Sequence, residues 1–262
     1  MNGDAVTEKS HKKLWIVLLI VSLISLVGCL AFFVAIKVQD GKMDDLRSRV
    51  SVSTDDSSSV TSKVNYVETP VDFVELKKEN PDIYAWINIP GTAVDYPVLR
   101  SKEYNTYYLN HSVDNKKSAS GSIYTHDYND MDFADFNTVV YGHNMKNGTM
   151  FGTLKKYRDK TFFEQNQYIN IYMPGRIMKY QIFAAYVWDD RHILLSFDFD
   201  NEAIREAYID MIFSTRRMNA NINNDVTVTK DDKIITLSTC TSNDDERYLV
   251  QGVLIYDSRE QQ

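Results

Sequence analysis

Cysteine is scarce in this 262-residue chain, which holds only 2. Cys29 lies inside a long apolar run, so Cys240 is the one thiol of the remainder. No disulfide can form within that remainder, and no paired cysteines suggest zinc. An HExxH run is missing too, which removes the usual metallopeptidase pattern. There is no Gly-rich phosphate loop. No basic stripe runs along the chain, and the net charge is -7. Both argue against a nucleic-acid surface. Internal repeats are also absent.

What remains is an ordinary globular composition, with 44% hydrophobic and 25% charged residues. Tyrosine is abundant at 17, which suits a β-rich domain with half-buried faces. Once a membrane segment and a linker are set aside, about 200 residues are left, enough for one domain.

The run "LWIVLLIVSLISLVGCLAFFVAI" starts at Leu14 and carries no charge. As a helix it spans about 34 Å, enough to cross a ~30 Å hydrocarbon core. It is long for a signal-peptide core, and no small-residue cleavage box follows. It reads as an uncleaved anchor. Lysines flank it on both sides, so charge says little about orientation. The short lysine-edged tail before it is the usual form of an anchor with its N-terminus inside. Cys29 follows "LVG", which resembles a lipoprotein cleavage box. However, the apolar run continues beyond it, which favours a plain membrane-helix residue. The expected plan is a cytoplasmic tail (1–13), a transmembrane signal anchor (14–37), an extracellular linker (38–68) and a folded domain (69–262). Within the linker, residues from about Gly41 to Lys63 form a spacer whose Ser/Thr/Asp-rich "SVSTDDSSSVTSK" reads as a flexible or weakly helical stalk, while "MDDLRSRV" is expected to continue the membrane helix a little.

The domain opens with a short helix in "VDFVELKKENPD", stopped by Pro81. Short β-branched or aromatic runs then recur, bounded by Gly, Asn, Asp or Pro. They are "IYAWINIP", "VDYPVL", "GSIYTH", "NTVVYGH", "YINIYM", "MKYQIFAAYVW", "KIITLSTC" and "RYLVQGVLIY". Each reads as a strand. Helices are expected at "GTLKKYRDKTFFEQ" and at "NEAIREAYIDMIFSTRRM". The second repeats apolar residues at Ile204, Tyr208, Ile212 and Phe213. This pattern predicts a mostly β domain with helices (α+β), an eight-stranded closed or nearly closed barrel with helices packed outside.

In "KIITLSTC", alternation puts Ile235, Leu237 and Thr239 on one face and Thr236, Ser238 and Cys240 on the other. If the first set faces the core, Cys240 lies on the outer face at the strand end. Arg247 opens the next strand after a polar loop, Thr241 to Glu246. Antiparallel pairing would set Cys240 beside Arg247, where a guanidinium favours a thiolate and stabilises an oxyanion. Asp244, Asp245 and Glu246 could offset that charge. Keeping the loop solvated is the better account of them. Cys240 also has a plain reading, as a small half-buried residue in a sheet.

A cysteine nucleophile needs a histidine partner. The candidates are His111, His126, His143 and His192. His143 stands just beyond a strand, as Cys240 does, and is favoured for that reason. A lone loop histidine is usually a solvated surface residue, and none here has zinc-ligand spacing.

These residues resemble a known family. "TLSTC" ending at Cys240 matches the TLxTC signature of the sortases, and "VVYGHNM" is similar to the segment that carries their catalytic histidine. The resemblance runs from "NPDIYAWINIPGT" through "YPVL", "GSIYTHDYND" and "MFGTLKKY" to the last strand. The long helix near Asn201 to Met218, before the cysteine strand, makes class B the best match. The resemblance implies a sortase-type barrel and a triad of His143, Cys240 and Arg247. It implies substrate contacts at Asn105, Leu109, His192, Ile193, Ser238 and Thr239. It also implies a transpeptidase that cleaves a C-terminal sorting signal on exported proteins through a thioacyl-enzyme. An amine of the peptidoglycan cross-bridge or a pilin lysine would resolve that intermediate. No metal or organic cofactor is implied. Calcium dependence belongs to another branch of the family, and no dense acidic cage is present here. The one departure is Tyr124-Thr125-His126, where many relatives have a shorter apolar or acidic pattern, so the resemblance assigns His126 no role. A cysteine peptidase that releases to water would share the same triad. An inactive membrane-tethered binding domain is the alternative of another class.

Overall fold

The computed structural model describes residues 4–51 and 67–260, with side chains from residue 15 onward. Two compact units make up the chain, residues 1–47 and 48–262.

The first unit is almost entirely one helix. Helix α1 runs Asp4–Val50. Its part from Trp15 onward is long and apolar enough to cross a membrane, with a best-window mean hydropathy of 2.9. Its apolar side chains point outward all round, as in Leu19 and Phe33 at 67% exposure each. A helix apolar on every face needs an apolar surrounding. Residues 41–50 are helical and continue α1 without a break, so "MDDLRSRV" extends the helix as expected. "MDDLRSRV" contains no Pro and no interior Gly to end the helix. The rest of the stalk, residues 52–63, lies outside the described residues.

The second unit opens with helix α2 (Phe73–Glu79). The Asp72 side chain caps it by accepting from the backbone N–H groups of Val74 and Glu75. It ends at Asn80, which is extended because Pro81 follows. Strands β1 (Ile83–Asn88), β2 (Asp95–Leu99), β3 (Ile123–Thr125) and β4 (Asn137–Tyr141) come next. They are followed by α3 (Lys160–Gln165), β5 (Tyr168–Met173) and β6 (Arg176–Asp189). Helices α4 (Ile193–Ser196) and α5 (Glu202–Phe213) then lead to β7 (Asn221–Ile222), β8 (Ile234–Cys240) and β9 (Glu246–Asp257).

The pairing order is β5-β1-β2-β3-β4-β8-β9-β6, and β6 pairs back to β5 to close an eight-stranded barrel. The two-residue β7 adds to the edge of β6. All eight expected strands are present. The two expected helices differ in detail. "GTLKKYRDKTFFEQ" is not one helix but a 3-10 turn (Leu154–Arg158) followed by α3. Asp159 between them is extended and caps Phe162 N–H with its carboxylate, the role for which aspartate leaves helices. Helix α5 stops at Phe213 rather than Met218, and Asn219 adopts a positive φ of 61° soon after.

Helix α5 covers the outer face of the barrel near β8. Its buried stripe is Tyr208, Ile209 and Ile212, packed with Ile234, Leu249 and Val253. Beneath Tyr208 a polar network ties the strands together. Gln251 Nε2 donates to Tyr208 Oη (3.0 Å) and to Thr236 Oγ1 (2.8 Å). Thr236 Oγ1 in turn donates to Asn137 Oδ1 at 2.7 Å. A buried network satisfied in this way specifies one register. It corrects the expected solvent face of β8, because Thr236 and Ser238 are buried and only Cys240 emerges.

Candidate active site

Three strand ends meet at one rim of the barrel. Strands β4 and β8 are parallel neighbours, with Tyr141 opposite Ser238. Both therefore finish at the same edge, and His143 and Cys240 each follow that pair by two residues. Strand β9 runs antiparallel to β8, with Cys240 opposite Arg247. The junction is fastened by hydrogen bonds. Asn144 Nδ2 donates to the Cys240 carbonyl at 2.9 Å, and Thr239 Oγ1 donates to the Gly142 carbonyl at 2.7 Å. Phe151 N–H donates to the His143 carbonyl at 2.9 Å, closing the loop after β4.

The three side chains line one groove of about 250 Å³. Cys240 is exposed, while His143 and Arg247 are half-buried. His143 Nε2 lies 2.7 Å from the Leu109 carbonyl oxygen. Arg247 Nη1 donates to the carbonyls of Asp244 (2.7 Å) and Glu246 (2.9 Å). Among the described residues no carboxylate lies within ion-pair distance of it. Asp244 and Asp245 are exposed and Glu246 is half-buried, and none of the three pairs with Arg247.

The other expected contacts divide. Leu109, His192, Ile193, Ser238 and Thr239 line the groove with the three side chains above. Asn105 does not line it. Its side chain is clasped to Asp127, with Asp127 N–H donating to Asn105 Oδ1 at 2.7 Å. Asn105 Nδ2 in turn donates to Asp127 Oδ1, so the amide is held at both ends with one donor and one acceptor site left over. His111 also lies elsewhere, stacked on Tyr107 at 3.9 Å.

Sequence reasoning kept His126 among the candidate histidines but assigned it no role. His126 is buried and faces the groove, its Nδ1 2.9 Å from His192 Nε2 and its ring 4.3 Å from that of Tyr141. Burial, with His192 adding to it, pushes His126 down to about 4. Burial also lowers His192. Both rings are therefore neutral near pH 7, and their contact is an N–H···N hydrogen bond. The apolar floor of Tyr141, Trp188 and Leu249 was missed. The alternation of "VVYG" and "YVW" marks these aromatic residues as strand residues, but not which face turns to the groove. Among the described residues, no three His, Cys, Asp or Glu side chains are grouped to hold a metal ion.

The arrangement suits acyl transfer. It offers an exposed thiol, an imidazole at the same rim, a guanidinium without a carboxylate partner among the described residues and a largely apolar floor beside them. Residues 87–255 match the sortase domain family model. Sortase B of Listeria monocytogenes is 35% identical over 184 residues, covering 69% of this chain and 73% of that protein. The structure of Clostridium perfringens sortase B superposes with a TM-score of 0.64 at 32% identity, covering 71% of this chain and 100% of that one. A Staphylococcus aureus sortase B–substrate complex gives 0.62 at 33% identity, covering 70% of this chain and 84% of the other. With barrel, groove and these likenesses in agreement, the chain belongs to the sortase family of cysteine transpeptidases and is most like its class B members.

Proposed function

We propose that this protein cleaves a C-terminal sorting signal on exported proteins and joins them to an amine, with Cys240, His143 and Arg247 as the catalytic groups. The observation that carries the reading is the strand register. It brings a thiol, an imidazole and an unpaired guanidinium to one rim of one groove.

The Cys240 thiolate attacks a backbone carbonyl of the signal. Arg247 stabilises the negative oxygen of the tetrahedral intermediate. The C–N bond breaks, and the leaving amine takes a proton from the His143 imidazolium. A thioester remains on Cys240. An incoming amine attacks it, gives its proton to His143, and the new amide leaves as the thiolate departs. Leu109, His192, Ile193, Ser238 and Thr239 hold the peptide along the groove. A carboxylate near Arg247 would weaken the oxyanion contact, and the absence of one among the described residues supports this assignment. The relative solved as a substrate complex supports a peptide in this groove.

Helix α1 serves as a membrane anchor in this reading. Its N-terminus is cytoplasmic and the barrel extracellular. The acceptor is an amine of the peptidoglycan cross-bridge or a pilin lysine.

The test uses full-length protein in detergent with a sorting-signal peptide, with and without an amine acceptor. The joined product should form only with amine present and vanish in Cys240→Ala. Hydrolysed peptide alone, whatever the amine, would favour a peptidase instead. Activity surviving in Cys240→Ala would remove the catalytic assignment altogether.

A further inference from the structure

We infer that the Leu109 backbone carbonyl is a positioning group that holds His143 in its Nε2–H tautomer and leaves Nδ1 as the nitrogen that exchanges protons in the reaction. The inference rests on His143 being the acid–base group proposed above, and it adds which atom acts and what holds it.

A carbonyl oxygen can only accept a hydrogen bond. At 2.7 Å from the Leu109 oxygen, His143 Nε2 must therefore carry the proton. That proton stays on Nε2 whether the ring is neutral or cationic. The second proton of the imidazolium then sits on Nδ1, and Nδ1 gives it to the leaving amine. After that step Nδ1 is bare and can accept the proton of the incoming amine. Without such a partner an imidazole divides between two tautomers, and only one offers a bare Nδ1.

The carbonyl is itself held firmly. Leu109 ends a short 3-10 turn (Tyr107–Leu109). Tyr108 at its centre is fully buried, and its hydroxyl donates to Asp82 at 2.8 Å. Behind the turn sits Gly121, at a φ of +54°. A Cβ there would lie 2.4 Å from the Leu109 oxygen and 2.6 Å from the Tyr108 oxygen. Those contacts are with backbone, which cannot swing aside as a side chain can. Gly121 thus lets the turn sit close enough to reach His143, although it touches no catalytic group itself.

The first measurement is made on resting full-length protein in detergent, labelled with 15N-histidine. Long-range proton–nitrogen spectra identify the protonated nitrogen of neutral His143, assigned by comparison with His143→Gln. Nε2–H with a bare Nδ1 is expected. A bare Nε2 with Nδ1–H would overturn the inference. No substrate is present, so this result can fail while amine joining succeeds, and the reverse.

The second measurement displaces the carbonyl. Gly121→Ala should lower kcat about a hundredfold, as a misplacement near 1 Å does, with little change in KM. It should also mix the His143 tautomers. Gly175→Ala is the control for backbone strain, because Gly175 has a φ of 68° in the hairpin between β5 and β6, away from the groove. If Gly121→Ala behaves like Gly175→Ala in both kcat and spectrum, the inference fails. Should Gly121→Ala not fold, an α-hydroxy acid at position 110 replaces it and turns the Leu109 carbonyl into an ester, a weaker acceptor. A lower kcat with mixed tautomers is then expected, and unchanged values of both would be fatal.

Discussion

Arg176 and Arg247 stand at opposite ends of the ladder formed by β6 and β9, and they are treated in opposite ways. Near one end Met178 pairs with Asp257, and at the other Trp188 pairs with Arg247. Arg176 is sealed against Asp257, with side chains 4% and 2% exposed. Its Nε donates to Asp257 Oδ1 at 2.9 Å, and the Asp132 carbonyl accepts from Nη1. Arg247 is half-buried and bonds only neutral carbonyls of its own loop. The lesson is about where charge is spent. A guanidinium matched to a carboxylate is neutralised and serves the fold. One anchored by backbone oxygens has no carboxylate matched to it, which suits the oxyanion role proposed for Arg247.

Variants at the two ends should separate stability from activity. The largest effect is expected from Arg176→Met, which leaves the buried Asp257 carboxylate without its guanidinium and with only the Arg259 N–H donating to it among the described residues. Denaturant unfolding should show a loss of about 3–5 kcal/mol. Next comes Arg247→Ala, which should lower kcat/KM by roughly 10²–10³-fold in the peptide-joining assay. Its unfolding midpoint should stay within about 0.5 kcal/mol of the parent. An Arg247→Ala protein that unfolds early would erase the contrast, for then both arginines would be structural.

A smaller effect concerns pH. Burial acts to raise Asp257, but the hydrogen bonds and charge of Arg176, with the backbone N–H and charge of Arg259, outweigh it and hold the carboxyl below its usual value. A group with a depressed folded value contributes stability above its unfolded value, near ~3.9, and loses it as pH falls through the folded one. The stability gap between the parent and Asp257→Asn should therefore narrow as pH drops below about 4. A gap that is flat down to acid would deny the ion pair its role. The smallest effect is expected from Arg176→Met combined with Asp257→Leu. Removing both charges should restore stability to within about 1 kcal/mol of the parent, or exceed it.

Much of this was legible in the chain. The eight barrel strands stand out because each is a short β-branched or aromatic run between turn residues. β7 does not, because two residues carry no periodicity. The single helix expected over "GTLKKYRDKTFFEQ" failed at Asp159, where a side-chain cap outweighs helical spacing. The place of His126 was not legible because "YTHDYND" is polar in sequence, whereas the fold lays that ring between Tyr141 and His192. The clasp between Asn105 and Asp127, 22 residues away, was not legible because nothing local reveals it.

The sequence by itself determined the local part of the rim. Alternation along β8 and a short polar loop are enough to set Cys240 across from Arg247, since a hairpin closes over a few residues. Only the tertiary structure decided which of the candidate histidines shares that rim. The parallel pairing of β4 with β8 brings His143 to Cys240 from about a hundred residues upstream, and that pairing is held by buried contacts through Asn137, Thr236, Gln251 and Tyr208. Parallel neighbours need a long crossover, so no local pattern encodes their register. The packing of α5 over the barrel, which buries the network and leaves only the end of β8 exposed, supplies it instead.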